Sequence, residues 1–197
     1  MLESKWMGFG KNALWVLNPF LGVIAFYQQE INFGIYFQWF GKMHPMLLHF
    51  PIVFGLGIAG YYIYKRDIKE MNPLFSPLLT LHSLLTTVVA IFGIFLSKQG
   101  NYDNDLLFWH QWGGVSIAYI SWILQILHDY NDFFKSHFLL RLSLSAIFTV
   151  ILLFFTHKGA QLTHGMDVLS WPEEEIMREI TMNLDKTATL YERAIGP

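Results

Sequence analysis

Long uncharged runs separated by short polar segments make up most of this chain. Residues 43–64, 71–97 and 106–128 contain no Asp, Glu, Lys or Arg. A fourth run covers residues 142–157, and it begins at residue 136 if Arg141 is included. Because about 20 apolar residues cross the hydrocarbon core of a bilayer, each run is long enough for one crossing. The pattern therefore predicts an all-α integral membrane protein built on a four-transmembrane-helix bundle, residues 42–165.

The two ends of the chain differ from this central region. Residues 1–41 are rich in Trp, Tyr and Phe, which favour the membrane interface, so we expect interfacial helices there. A fifth span, short or re-entrant, is the alternative. In residues 166–197, Ser170 as N-cap and Pro172 in the first turn predict a helix start. The apolar residues that follow recur at helical spacing, which predicts an outward amphipathic helix or, equally, a solvated one.

Composition narrows the possible functions. The net charge is −2 and no basic stretch occurs, so nucleic acid is not expected as a partner. The sequence contains no cysteine, which excludes disulfides, iron–sulfur clusters, thiolate zinc and covalently attached c-type haem within these residues. Any metal or cofactor must therefore be held by His, Met, carboxylate or backbone groups.

Lys and Arg residues near the helix ends predict the orientation. Five lie on one side of the membrane and three on the other. The first set is Lys65, Arg66, Lys69, Lys135 and Arg141, and the second is Lys42, Lys98 and Lys158. The positive-inside bias places the first side in the cytoplasm. We therefore expect a multi-pass protein of the bacterial inner membrane with a periplasmic C-terminal tail.

Histidines gather on the predicted outer side. His44 and His49 lie at the start of the first run, and His110 enters the third run from the same side to a comparable depth. His157 ends the fourth run there, and His164 follows it at a spacing that shares one helix face. His82 is isolated near mid-membrane, where a hydrogen bond between helices is the expected role.

Paired histidines on facing helices suit b-type haem, whose iron takes two axial imidazoles. His49 and His110 match in depth and are the first choice of axial ligands, with His44, His157 and His164 as a second ligand set or as neighbours. Small residues would leave room for the macrocycle, although ordinary helix packing also explains them. These residues are Gly55, Gly57, Gly60, Gly113 and Gly114. Pro51 is expected to bend the first helix.

Three other hypotheses remain open at this point. Mixed thioether and imidazole groups suit copper; they occur at Met43, His44, Met46 and His49, and again at His164 and Met166. A rim histidine beside an acid would suit quinol chemistry; the acids are Asp103, Asp105 and Asp167. A cofactor-free membrane anchor, with histidines that only hydrogen-bond between helices, is the third.

Three motifs resemble a bacterial four-helix membrane family of unknown function whose first helix begins HPxxVHFP. They are the segments 44–52, 100–113 and 157–167, and together they also resemble the branch of that family that precedes planctomycete-type cytochrome c domains. The resemblance covers about residues 41–168. It implies that the histidine motifs are His44, His49, His110, His157 and His164. It also supports a respiratory or periplasmic electron-transfer context without fixing the reaction. The leading hypothesis is a membrane subunit of an electron-transfer assembly in which electrons pass to or from a c-type cytochrome domain or subunit.

Overall fold

The computed structural model describes residues 2–65, 74–100, 102–165 and 172–195, and those residues form helices and connecting loops without strands. The helices are α1 (Leu2–Tyr27), α2 (Ile35–Gly41), α3 (His44–Leu47), α4 (His49–Tyr64), α5 (Phe75–Leu96), α6 (Asn104–Tyr130), α7 (Asp132–Ser136), α8 (Phe138–His164) and α9 (Pro172–Ile195). Helix α9 begins at Pro172 as expected, and its expected N-cap, Ser170, lies outside the described residues.

Among the described residues, three helices are long and apolar enough to cross a membrane. They are Lys5–Tyr27 within α1, Phe75–Leu96 and Phe138–His164. A fourth crossing is possible if Ile35–Leu47 and His49–Tyr64, which meet at a bend of 43°, act as one span. The all-α membrane class predicted from the sequence is confirmed.

Helix α6 differs from the expected third span. It has 27 residues, yet it is not among the helices that meet the hydropathy criterion for a crossing. Its polar side chains Ser121, Gln125 and His128 are buried against other helices. These side chains form hydrogen bonds inside the bundle, so they lower the hydropathy of α6 without facing lipid.

Helix α1 packs antiparallel to α6 along most of its length. At one end Lys11 Nζ lies 2.7 Å from an Asp129 carboxylate oxygen. At the other, the Phe26 and Trp112 rings are 5.1 Å apart. Helix α1 therefore extends from the end of the bundle at Asp129, called here the Asp129 end, to the end that holds His110, called here the histidine end. This arrangement fits the alternative of a fifth span.

The break between α3 and α4 falls at Leu48, one turn before the expected bend at Pro51. Pro51 lies in the first turn of α4, where a missing backbone N–H is tolerated. It cannot donate to the carbonyl of Leu47, so the preceding helix ends there. Because of this break, His44 and His49 lie on helices whose axes point in different directions.

Helix α5 occupies the centre of the bundle and contacts α1, α2, α3, α4 and α6, while α8 packs on α4 and α6. One apolar cluster joins α1, α5 and α6 near the histidine end, and a second joins α4, α5, α6, α7 and α8 towards the Asp129 end. In α9 the apolar side chains that the structure describes, such as Met177 and Leu184, are exposed.

Candidate functional site

Two histidine rings from different helices face each other at the histidine end. The ring centroids of His44, on α3, and His110, on α6, lie 6.1 Å apart with an angle of 81° between the ring planes. Both residues are partly buried, and their positions differ by 66 in the sequence. The fold thus brings together one member of the first-choice axial pair, His110, and one member of the second set, His44.

His44 is fixed on α5 by one hydrogen bond and one glycine. Its Nδ1 lies 2.9 Å from the backbone oxygen of Val89. Gly93 follows one turn later, and a Cβ added there would come within 3.0 Å of the His44 ring. Because a carbonyl oxygen only accepts, Nδ1 carries the proton and donates it, which leaves the Nε2 lone pair unused by this bond.

His110 docks on α8 in the same way. Its Nδ1 lies 3.0 Å from the backbone oxygen of Phe155, and a Cβ added to Gly159 would come within 2.5 Å of the ring. In both cases the accepting carbonyl precedes the glycine by four residues. An α-helical carbonyl at position i points along the axis towards residue i+4, so a glycine at i+4 uncovers it for a second donor.

The glycines that the sequence had singled out divide into two groups. Gly55 and Gly113 pack tightly, Gly55 against His82 and Phe148, and Gly113 against the Phe155 ring. Gly57, Gly60 and Gly114 have open space where a Cβ would lie. Close helix contact is therefore the role of the first two. The roles of Gly93 and Gly159 in positioning the site were missed. The only signal of Gly93 was an isolated glycine inside an apolar helix, whereas Gly159 belongs to the 157–167 motif.

The hydrogen bonds of His44 and His110 to backbone carbonyls resemble those that hold metal-binding histidines in place. Ligating histidines usually donate their second ring N–H to a backbone carbonyl or a carboxylate, which fixes the tautomer and raises ligand basicity. Two nitrogens on opposite sides of one metal are roughly 4 Å apart and place their ring centroids about 6 Å apart. The separation of the His44 and His110 rings, 6.1 Å, is compatible with that spacing, and it is also an ordinary distance for an edge-to-face ring pair.

The donor set restricts what the pair can hold. Among the described residues, no group of three or more His, Cys, Asp or Glu side chains is placed to hold a metal ion. Bare zinc or copper usually needs three or four protein ligands. Haem iron needs only two axial groups because the macrocycle supplies the other four nitrogens. Two histidines by themselves therefore match the number of ligands that haem iron needs, whereas a copper site would also need the methionine donors named above.

The other predicted histidines occupy different positions in the fold. His49 is exposed at the start of α4, His157 is partly buried in α8, and His164 is exposed in the last turn of α8. In the described part of the chain, no hydrogen bond or ring contact joins any of the three to His44 or His110. The axial role of His49 therefore stays a prediction.

The groups invoked for copper or quinol chemistry are also dispersed. Met46 is 60% exposed, and Asp103 is the N-cap of α6, where it accepts a 2.9 Å hydrogen bond from the Leu106 N–H. Asp105 is exposed in the first turn of α6. Asp167 and Met166 lie outside the described residues. Asp103 thus already has a structural role.

Substitution Gly159→Ala should destabilise the protein by about 1–3 kcal/mol, because the new methyl group must displace the His110 ring from its carbonyl. Thermal unfolding in detergent, followed by circular dichroism, measures the effect. Gly114→Ala is the matched control, since its Cβ would meet nothing within 4 Å. An equal loss of stability in both variants would show that His110 is not seated on Gly159.

Comparison with protein families gives one match. A family model described as "Predicted membrane protein (DUF2231)" matches residues 42–170, which span α3 to α8 and exclude α1 and α2. The matched region contains both His44 and His110 together with the carbonyls and glycines that hold them. No curated protein and no solved structure matches this chain.

Proposed function

This chain belongs to the DUF2231 family of predicted membrane proteins, and from that premise we propose that it is a membrane subunit of an electron-transfer assembly that binds b-type haem between His44 and His110. The observation that carries the proposal is the pair of facing imidazoles. Each ring donates its Nδ1–H to a backbone carbonyl and keeps its Nε2 lone pair for a ligand bond.

Haem supplies reversible one-electron chemistry at iron when it is bound. The residues of this chain position and tune the ligands. The carbonyls of Val89 and Phe155 hold the imidazoles in one tautomer and increase their basicity as ligands. Both imidazoles are partly buried, which reduces the access of water and would strengthen the electrostatic effect of each ligand on a bound metal.

The fold supports an outward position for this site. Lys11 contacts Asp129, so the N-terminal part of α1, with Lys5 and Lys11, lies at the Asp129 end. Adding these two to the five cationic residues expected there gives seven, against three at the histidine end. By the positive-inside rule, this excess supports the proposed position of the histidine end on the periplasmic side of a bacterial inner membrane.

A site on the periplasmic side would be within reach of partners outside the membrane. A c-type cytochrome domain or subunit outside the membrane would exchange electrons with the haem, and the bilayer surrounds the apolar faces of the bundle. The exposed apolar residues of α9 are available for contacts in such a multisubunit complex. A copper or quinol site is the alternative cofactor assignment.

The same hydrogen bonds support a second function, a cofactor-free anchor for a periplasmic complex. His44 joins α3 to α5, and His110 joins α6 to α8. Histidine hydrogen bonds between membrane helices stabilise bundles by about 0.6 kcal/mol each, without any ligand. In this function the glycines simply allow two interhelical contacts.

The deciding experiment is a dithionite-reduced minus oxidised spectrum of the purified protein, with haem quantified as the pyridine haemochrome and copper by elemental analysis. A b-type signal near one haem per chain supports the proposal. Folded protein, purified in a mild detergent from haem-sufficient cells, that shows neither haem nor copper would overturn the proposal and leave the anchor function.

A further inference from the structure

His82 lies at the centre of the bundle, away from the site described above. It is 2% exposed and belongs to α5. Its ring contacts Ser121 on α6 and Phe148 on α8, and it lies within 3.2 Å of the position that a Cβ on Gly55 of α4 would occupy. Four helices thus enclose one imidazole, and no charged residue is among these contacts.

The hydrogen-bond network assigns the tautomer of this ring. The Ser121 hydroxyl donates to the Ile117 backbone oxygen at 2.7 Å, which uses its only hydrogen. Ser121 Oγ must therefore accept from His82 Nε2, which lies 3.3 Å away. Nε2 carries the proton, and Nδ1 keeps a lone pair. This confirms the expected hydrogen bond between helices, but it accounts for only one ring nitrogen.

Nδ1 of His82 is buried without a hydrogen-bond partner. Leaving a buried polar group unpaired costs about 1–3 kcal/mol, so such an atom usually marks a bound water or ion. A lone pair needs a donor. The group that satisfies Nδ1 must therefore bring an O–H or N–H hydrogen with it.

A second unpartnered group lies on the adjacent helix. Ser145 of α8 is 2% exposed, and its Oγ has no hydrogen-bond partner. Ser145 precedes Phe148 by three residues, so it lies on the same face of α8 as the residue that contacts His82, about one turn closer to the Asp129 end. An imidazole nitrogen that lacks a hydrogen-bond donor and a hydroxyl group that lacks a partner thus both lie near Phe148 in the interior of the bundle.

We infer that the centre of the bundle binds water, held by His82 Nδ1 and Ser145 Oγ. Water can donate to Nδ1 and either accept from or donate to the serine hydroxyl, so it satisfies both groups at once, which no side chain in the described contacts does. Gly55 contributes by carrying no side chain beside the ring, since a methyl group there would crowd His82, Phe148 and Leu152. This inference does not depend on haem binding.

Bound water gives His82 access to proton exchange in a region otherwise closed to solvent. A proton arriving on this water would pass to Nδ1, forming an N–H bond as an O–H bond breaks and leaving neutral water behind. Ser121 would continue to accept from Nε2. The imidazole would then carry the positive charge, and the water would supply its new acceptor.

Magic-angle-spinning NMR of the full chain in bilayers, labelled with ¹⁵N-histidine, tests this inference. Comparison with His82→Gln identifies the His82 signals. At neutral pH we expect a neutral ring with Nε2 protonated and with magnetisation transfer from mobile or exchangeable water. Ser145→Ala should reduce that transfer about twofold or more, because one of the two groups that hold the water is gone.

Ser143→Ala is the matched control, since Ser143 lies on the same helix but is exposed. It should leave the transfer unchanged. A His82 ring protonated at Nδ1 rather than Nε2, the absence of water transfer in the unmodified protein, or equal transfer in the Ser145→Ala and unmodified proteins would each overturn the assignment.

Discussion

Substitution His110→Asn is expected to reduce the b-type haem absorbance that the proposed function assigns to this protein about tenfold or more, while the protein stays folded. The asparagine amide can donate to the Phe155 carbonyl from about the position of Nδ1, so the contact between α6 and α8 is retained. It offers no nitrogen lone pair for iron. Absorbance per milligram of protein and a thermal unfolding curve, measured on the same sample, separate ligand loss from unfolding.

His44→Asn should give the same loss, and His49→Asn should leave the spectrum unchanged because His49 is exposed on the other side of the α3–α4 break. Loss of absorbance in His49→Asn with full absorbance in His44→Asn would restore the pair expected from the sequence. Full absorbance in all three variants would show that neither pair ligates the haem.

Substitution Asp129→Ala is expected to destabilise the protein by about 2–3 kcal/mol, because Lys11 would be left as a largely buried cation without its carboxylate. The Asp129 side chain is 8% exposed and that of Lys11 is 21% exposed. Asp129 also accepts from Ser76 at 2.6 Å and from Gln125, so three donors lose their acceptor. The melting temperature should fall by roughly 4–10 °C for a chain of this size.

Asp132→Ala is the matched control. Its side chain is 99% exposed and lies 3.5 Å from Lys135, and such exposed pairs contribute less than about 1 kcal/mol. The double variant Lys11→Met with Asp129→Leu should recover most of the stability, since it removes both charges together. A loss in the double variant as large as in Asp129→Ala would show that the ion pair is not the link between α1 and α6.

The secondary structure could be predicted because membrane insertion depends on local composition. Three of the four uncharged runs each correspond to one helix, and the first run is divided between α3 and α4. The observed helix ends differ by a few residues where capping or packing decides them. Helix α8 is the clearest case: Arg141, which interrupted the expected run, is buried and donates to the backbone oxygens of Phe134 and Lys135. A cation satisfied in this way does not end a helix.

The candidate site was predicted in part. Depth along each helix placed His44 and His110 at one end of the bundle, because rise per residue is fixed. Depth carries no information about which way a side chain points around the helix axis. His49 was preferred to His44 because its depth matches that of His110, and depth could not show that the break at Leu48 turns the two residues onto different axes.

The sequence by itself determined the membrane class, the long helices and the gathering of histidines, because each depends on hydrophobicity and rise within one segment. Only the tertiary structure decided that His44 lies next to His110 and that Gly93 and Gly159 pack against the two rings. It also decided that Lys11 pairs with Asp129, although they are 118 residues apart in the chain. These contacts depend on helix rotation and on which helices are neighbours. Both are set by packing among segments that the linear order of residues leaves unspecified.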